Sequence, residues 1–272
     1  MTDPTPTDPE SGSTALRKEA TRLARRVGQL EATLRQVELA RDTNARMLDR
    51  IMVELEVERA RSRDLLLNVL PQSIIDRLNS GERLIADRHD DVAVIFSDFV
   101  GFTEISARTP VATVVASLNR MFSSFDSACL ELGIEKIKTI GDAYLAAAGL
   151  PGPGSGAEAT AAHVHAAADL ALAMVAAVEQ VGLPWRIRVG IHNGPVVAGV
   201  IGTSKYVYDL WGDAVNVASR LEESSEPGRI QVSASIAAAA GDAFAFEPRG
   251  MIDLKGKGAT STFFLLARTR SG

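Results

Sequence analysis

Asp98 closes an apolar run, Val92-Ala-Val-Ile-Phe96, and precedes Phe99-Val-Gly101-Phe102-Thr103. A carboxylate at the end of a buried strand, ahead of a glycine turn that opens a helix, suits a metal and a phosphate, because the turn's N–H groups can point at anionic oxygens. The same placement also serves as a helix N-cap. Asp142 follows Gly141 between two short runs, Glu135–Ile140 and Ala143–Ala148, where simple turn chemistry accounts for it equally well. If that hairpin packs beside the first strand, the two carboxylates converge. Two aspartates suit Mg²⁺, whose other ligands come from phosphates and water, and two-metal phosphoryl chemistry needs this arrangement. Lys136 and Lys138 alternate on one face of the strand before the turn, and either also reads as a solvated strand lysine. Asn216 and Arg220 fall four apart on one helix face, with Asp209 upstream in Tyr208-Asp-Leu-Trp-Gly-Asp-Ala-Val-Asn-Val-Ala-Ser-Arg220. A cap and an exposed arginine would explain them, but Val215, Val217 and Ala218 leave little room for a solvated face. Lys255-Gly-Lys257-Gly reads either as a basic loop that touches phosphates or as a plain turn. Neither a Gly-x-x-x-x-Gly-Lys-Ser/Thr loop nor a Gly-x-Gly-x-x-Gly run occurs, which excludes the standard ATPase and dinucleotide readings.

The elements that must position these residues fill a chain of 272 residues, 46% hydrophobic and 23% charged, enough for a packed domain with an extension. A net charge of −5 argues against bulk-charge binding of nucleic acid. One cysteine, Cys129, excludes an internal disulfide framework and a thiolate zinc cluster. His163 and His165 stand two apart, off a common helix face. The start of the chain is acidic and proline-rich, unlike a signal peptide, so a cytoplasmic location is expected. No transmembrane segment is expected either, since the longest candidate, 161–178, carries His163, His165 and Asp169.

Residues 1–13 read as a disordered tail. Over 14–70 the apolar positions Leu16, Ala20, Leu23, Val27, Leu30, Leu34 and Val37 alternate four and three apart, and the frame continues to Val69. This predicts a parallel coiled coil, with Arg41 and Asn44 in the seam fixing register, though a single amphipathic helix packed on its own domain would share the pattern. Residues 71–90 read as a joint between rod and globule, and 91–268 as the globule. There, helices are expected over Pro110–Leu132, Ala157–Val181 and Asp213–Ser224. A second hairpin is expected from Trp185–His192 and Pro195–Ile201 around Asn193-Gly194, with further strands at Arg229–Val232 and between Phe244 and Leu266. Mixed helices and antiparallel hairpins predict an α+β fold on a ferredoxin-like βαββαβ plan.

Taken together, Ile95-Phe-Ser-Asp98-Phe-Val-Gly-Phe-Thr103, Glu135-Lys-Ile-Lys138-Thr-Ile-Gly-Asp142, Arg188-Val-Gly-Ile-His-Asn-Gly194, Tyr208 to Arg220 and Leu254-Lys255-Gly-Lys-Gly258 resemble the class III nucleotidyl cyclase catalytic domain, in the family's order. The resemblance implies that Asp98 and Asp142, with the Phe99 carbonyl, hold two Mg²⁺ or Mn²⁺ ions per active site. It implies that the amides around Phe99, Gly101, Phe102 and Thr103, with Arg188 and a partner subunit's equivalent of Lys255, grip the phosphates of ATP. Asn216 would orient the ribose and Arg220 would stabilise charge on the α-phosphate. Lys138 and Asp209 resemble the pair that reads adenine, where guanylyl cyclases carry a glutamate and a cysteine or similar. The implied activity is an adenylate cyclase that makes 3′,5′-cyclic AMP and pyrophosphate in a head-to-tail homodimer, acted on through the rod by an upstream regulator that the sequence does not name. Guanylate cyclase, or a degenerate cyclase-like module used for dimerisation, are the alternatives.

Overall fold

The computed structural model describes residues 9–67, 69–150, 156–182 and 184–269, in two compact units that divide between Leu66 and Leu67. The first unit is one helix, α1 (Pro9–Leu67), 59 residues long. Proline is tolerated at a first helical position, and no other proline or paired glycines interrupt the segment. Residues 1–8 of the expected tail lie outside the described residues, and its remainder is helical. The predicted seam lies in the open: Leu23, Val27, Leu30, Leu34, Ile51 and Leu55 are each about half exposed or more. A stripe this long gains nothing from burial within its own unit.

The second unit holds α2 (Gln72–Asn79), β1 (Ala86–Phe99), α3 (Phe102–Arg108), α4 (Val111–Leu132), β2 (Glu135–Ile140), β3 (Ala143–Ala148), α5 (Ala157–Glu179), β4 (Ile187–Ile201), β5 (Val207–Trp211), α6 (Asp213–Glu223), β6 (Ile230–Ser233), α7 (Ala234–Ala240), β7 (Phe244–Leu254) and β8 (Gly258–Arg268). The sheet runs β2-β3-β1-β4-β6-β8-β7, with β5 added to β4. The first four strands are mutually antiparallel, and with α4 and α5 they form the expected ferredoxin-like core. Both faces are covered, which is why Val92–Phe96 is apolar throughout rather than alternating. Ala93 and Ile95 join Met121, Phe125, Val164 and Met174 in one cluster. Val92 and Val94 join Ile74, Ile75, Ala214 and Ala218 in the other.

Two expectations are corrected. First, Asn193-Gly194 makes no hairpin. The chain continues straight as β4, because β1 pairs along its whole length, with Val92 opposite Gly194 and Ala93 opposite Asn193. The antiparallel partner after the turn is β5, a strand that the sequence reading did not separate from the motif around it. Second, β1 begins at Ala86, inside the stretch read as a joint. α5 is long and apolar enough, by length and composition only, to cross a membrane. Its Val164, Ala167, Leu170, Ala171, Met174 and Val178 nevertheless pack in the core.

The helix that carries the second half of the candidate site is seated by Gly190. A Cβ there would lie 2.2 Å from the Ala218 carbonyl oxygen and 2.3 Å from the Glu222 amide nitrogen. Both are backbone atoms, so α6 would have to move off β4. Gly190→Ala should therefore cost about 3 kcal/mol of stability, read by denaturant unfolding of the full chain. An unchanged midpoint would mean that the approach is not close.

Candidate functional site

Asp98 is the penultimate residue of β1 and pairs across the ladder with Arg188 of β4. On the other side Ser97 pairs with Tyr144 of β3, so the turn that joins β2 to β3 arrives beside Asp98. Gly141 sits in that turn at φ 65°, a conformation that favours glycine, and Asp142 follows it. The Asp142 carboxyl is held above the usual carboxylate range, first by burial and next by the neighbouring Asp98 carboxylate. The two aspartates are thus brought together.

Arg188 bridges this pair to α6. Its Nη2 lies 3.7 Å from Asp98 Oδ2, while its Nε donates to Glu222 Oε1 at 2.9 Å and its Nη1 to the Glu223 carbonyl at 3.3 Å. Glu222 is only 3% exposed. Burial pushes its carboxyl up to about 7, against the opposing pull of Arg188. The sequence reading missed this residue. Its signal was available: an acid directly after Leu221, on the apolar side of an amphipathic helix.

The loop after Asp98 stands on aromatic packing. Phe99 is buried, with its ring 5.6 Å from Trp185 and 6.4 Å from Phe102. The Val100 amide donates to the Arg186 carbonyl at 2.8 Å. Gly101 precedes α3, and the Phe102 and Thr103 amides lie in its first turn, where no helical carbonyl precedes them.

Lys138 and Asp209 meet across β2 and β5, with Nζ donating to Oδ2 at 2.6 Å, and the Leu210 amide donates to Asp209 Oδ1 at 2.9 Å. A register shift between Lys136 and Lys138 leaves Ile137 as a bulge that aims Lys138. On α6, Asn216 is exposed and Arg220 half-buried, opposite the buried Val217, Ala218 and Leu221. The β7–β8 turn passes close by, since a Cβ on Gly256 would lie 3.7 Å from Arg220 Nη1. Lys257 of that turn pairs with Asp213, and Lys255 is exposed. Among the described residues, no hydrogen bond or ion pair joins Lys138, Asp209, Asn216 or Arg220 to the Asp98–Asp142 pair. One chain therefore presents an acidic group with Arg188, the Lys138–Asp209 pair, and a polar face of α6.

Among the described residues no cluster of three or more metal-ligating side chains occurs. The candidate metal site offers two carboxylates and a main-chain carbonyl. Cys129 is buried beside the Tyr144 hydroxyl, as a small core residue should be. His163 Nδ1 lies 2.9 Å from the Asp91 carbonyl oxygen and His165 Nε2 3.1 Å from that of Ala240.

A family model for the adenylate and guanylate cyclase catalytic domain matches residues 84–267. An adenylate cyclase of Mycobacterium tuberculosis is 44% identical over 219 residues, 79% of this chain and 48% of that protein. Retinal guanylyl cyclase 2 of Bos taurus is 39% identical over 227 residues, 79% of this chain and 20% of that protein. The crystal structure of the adenylyl cyclase CyaB from P. aeruginosa matches with a TM-score of 0.63 at 28% identity, over 68% of this chain and 97% of that one. The chain belongs to the adenylate and guanylate cyclase catalytic domain family. It spans about half the length, or less, of the two relatives it was compared with by sequence.

Glu222 generates a pH prediction. Folding raises its carboxyl from the ordinary range near 4.5 to about 7, so the wild type loses stability as pH climbs through that interval. Glu222→Gln keeps an acceptor for Arg188 and has no charge to bury. Its melting temperature should match the wild type near pH 4, exceed it progressively as pH rises from about 4.5 to about 7, and keep that margin at higher pH. Parallel melting curves across that range would count against the buried carboxyl.

Proposed function

We propose that the chain is an adenylate cyclase that converts ATP to 3′,5′-cyclic AMP and pyrophosphate at sites shared by two copies. The observation that carries the choice of base is the Lys138–Asp209 pair. It presents a donor and an acceptor side by side, 13% exposed at Asp209, complementary to N1 and the 6-amino group of adenine. Guanine presents the reverse order, so a buried donor and acceptor would go unpaired. Guanylyl cyclases are also among the relatives, and guanylate cyclase is the reading this pair disfavours.

Asp98 and Asp142, with the Phe99 carbonyl, would hold two Mg²⁺ or Mn²⁺ ions. The fit rests on the two carboxylates being brought together: the Asp142 carboxyl is held high first by burial and next by Asp98, and a divalent cation would relieve the repulsion between them. The bound metals would neutralise the triphosphate and favour ionisation of the ribose 3′-hydroxyl. Arg188, held by Glu222, and the amides at Gly101, Phe102 and Thr103 grip the β- and γ-phosphates, together with the partner subunit's Lys255. Asn216 orients the ribose, and Arg220 meets charge developing at the α-phosphate. Phosphoryl transfer requires positioning and charge neutralisation rather than covalent help, which is what these groups supply. The exposed apolar seam of α1 supports a coiled coil with a second copy, which raises the effective concentration of the second catalytic unit. ATP as substrate agrees with the expected cytoplasmic location.

Purified protein with Mn²⁺ should make cyclic AMP from ATP and far less cyclic GMP from GTP. Asp98→Ala and Arg220→Ala should each lose about 10²–10³ in rate. Their mixture should recover about a quarter of wild-type activity, because half of randomly paired dimers keep one of two sites intact. Absence of rescue would sink the shared site, and absence of cyclic nucleotide at every protein concentration would favour the degenerate module. Separately, Lys138→Glu with Asp209→Cys should move preference from ATP toward GTP, measured as the ratio of kcat/KM values. An unmoved ratio would remove the account of base choice.

A further inference from the structure

Lys138 also lines a cavity of about 630 Å³, within the usual range for a small-molecule site. Its walls are the segment before α2, the α4 helix, β2 and β5, and its apolar lining includes Leu70, Leu130 and Ile137. Its charged lining is Asp126, Glu135, Lys136 and Lys138, and of these Glu135 alone has no partner among the described residues. Asp126 is matched by Lys136 at 2.7 Å, and Lys138 by Asp209 at 2.6 Å. Glu135 lines the same cavity, half-buried, with no hydrogen bond or ion pair among the described residues, and burial alone pushes its carboxyl up to about 7. Tyr208, on the facing strand, is 5% exposed and its hydroxyl makes no hydrogen bond among the described residues. Nearby Arg77 cannot serve Glu135, being committed to Glu82 and Asp87. The cavity thus holds one carboxyl and one phenol hydroxyl that have no partner among the described residues.

We propose that this cavity binds a small organic cation, an ammonium or amidinium on an aromatic or aliphatic body, seated against Glu135 and Tyr208. The cation supplies the missing countercharge, its N–H groups donate to the carboxylate and the phenol oxygen, and its apolar body covers Leu70, Leu130 and Ile137. The place carries a consequence. Ile137 is the bulge residue that aims Lys138, and Tyr208 precedes Asp209. Occupancy therefore acts on the geometry of the base-facing pair and tunes affinity for nucleotide, a consequence that rests on the cyclase reading, whereas binding itself does not.

The test is titration calorimetry on the full chain without nucleotide, using benzylamine and its neutral isostere, benzyl alcohol. Benzylamine should bind saturably, at least tenfold tighter than the alcohol. Glu135→Gln should erase that difference, and Tyr208→Phe should weaken benzylamine severalfold; melting temperatures verify that both variants fold. Equal affinities in the wild type, or a difference that survives Glu135→Gln, would overturn the site. An affinity for benzylamine that falls as protein concentration rises would assign the cavity to a second copy and overturn it as well. In the cyclase assay, saturating benzylamine should shift KM for ATP at least twofold while kcat moves less; an unmoved KM overturns the coupling. Because binding is read without nucleotide, an inactive cyclase and an empty cavity give different results.

Discussion

A carboxylate at the end of β1 and another in the β2–β3 turn repel one another, and a fold that brings them together must hold them by force of packing. Here the force is the register of β1 between β3 and β4. Pairing of Ser97 with Tyr144 on one side and of Asp98 with Arg188 on the other fixes where the Gly141 turn delivers Asp142. The Asp142 carboxyl is accordingly held above the usual range, first by burial and next by the neighbouring Asp98 carboxylate. A register slip by one residue would reverse the face of every side chain on the strand and dissolve the pair. The doubly covered sheet forbids that slip, since Val92 and Val94 would exchange faces with Ala93 and Ile95 between two filled cores.

The same sheet ties the acidic pair to α6 through a chain of contacts. Gly190 lets α6 lie against β4, that approach buries Glu222, and Glu222 captures Arg188, which leans toward Asp98. Asn216 and Arg220 then project from the opposite face of the helix. On the proposed reading this geometry explains why one chain is insufficient. The side of α6 that holds Arg188 serves its own acidic pair, while the other side is left for the site of a partner.

Much of this was legible in the sequence where the signal is local. The β2–β3 hairpin, α4, α5 and α6 fall where residue periodicity and the Gly141-Asp142 dipeptide place them. The aspartates, Lys138, Asp209, Asn216 and Arg220 stood out by type and spacing. What failed was decided at a distance. Asn193-Gly194 has strong hairpin chemistry, yet β1 supplies ladder partners for both residues, and pairing along a whole strand outweighs a turn preference. Gly194 is there for another reason: its Cβ would stand 3.3 Å from that of Ala214, so the missing side chain gives α6 room. Glu222 showed in the sequence only as an acid on the apolar side of a helix, and neither it nor Glu135 could be given a role there, because their meaning depends on what faces them. Arg188 lies 34 residues before Glu222, and Glu135 matters only because its surroundings leave it without a cation.

The base-facing pair shows how a strong local interaction can discriminate without being rigid. Lys138 and Asp209 come from different strands, 71 residues apart, and satisfy each other before nucleotide arrives. An unpaired lysine and aspartate in the same place would each carry a desolvation penalty that any base with one matching group could relieve. Once paired, they yield only to a ligand that serves both at once, because a base that takes one and strands the other leaves a charge uncompensated. Specificity on this account comes from the cost of breaking the pair, and that cost depends on how well β2 and β5 hold the two side chains in line. Those strands are joined here by few contacts beyond the pair itself and the residues around the Ile137 bulge. On the proposed reading, whatever stiffens or spreads that junction sets how strictly a base would be read, independently of the Asp98–Asp142 end of the site.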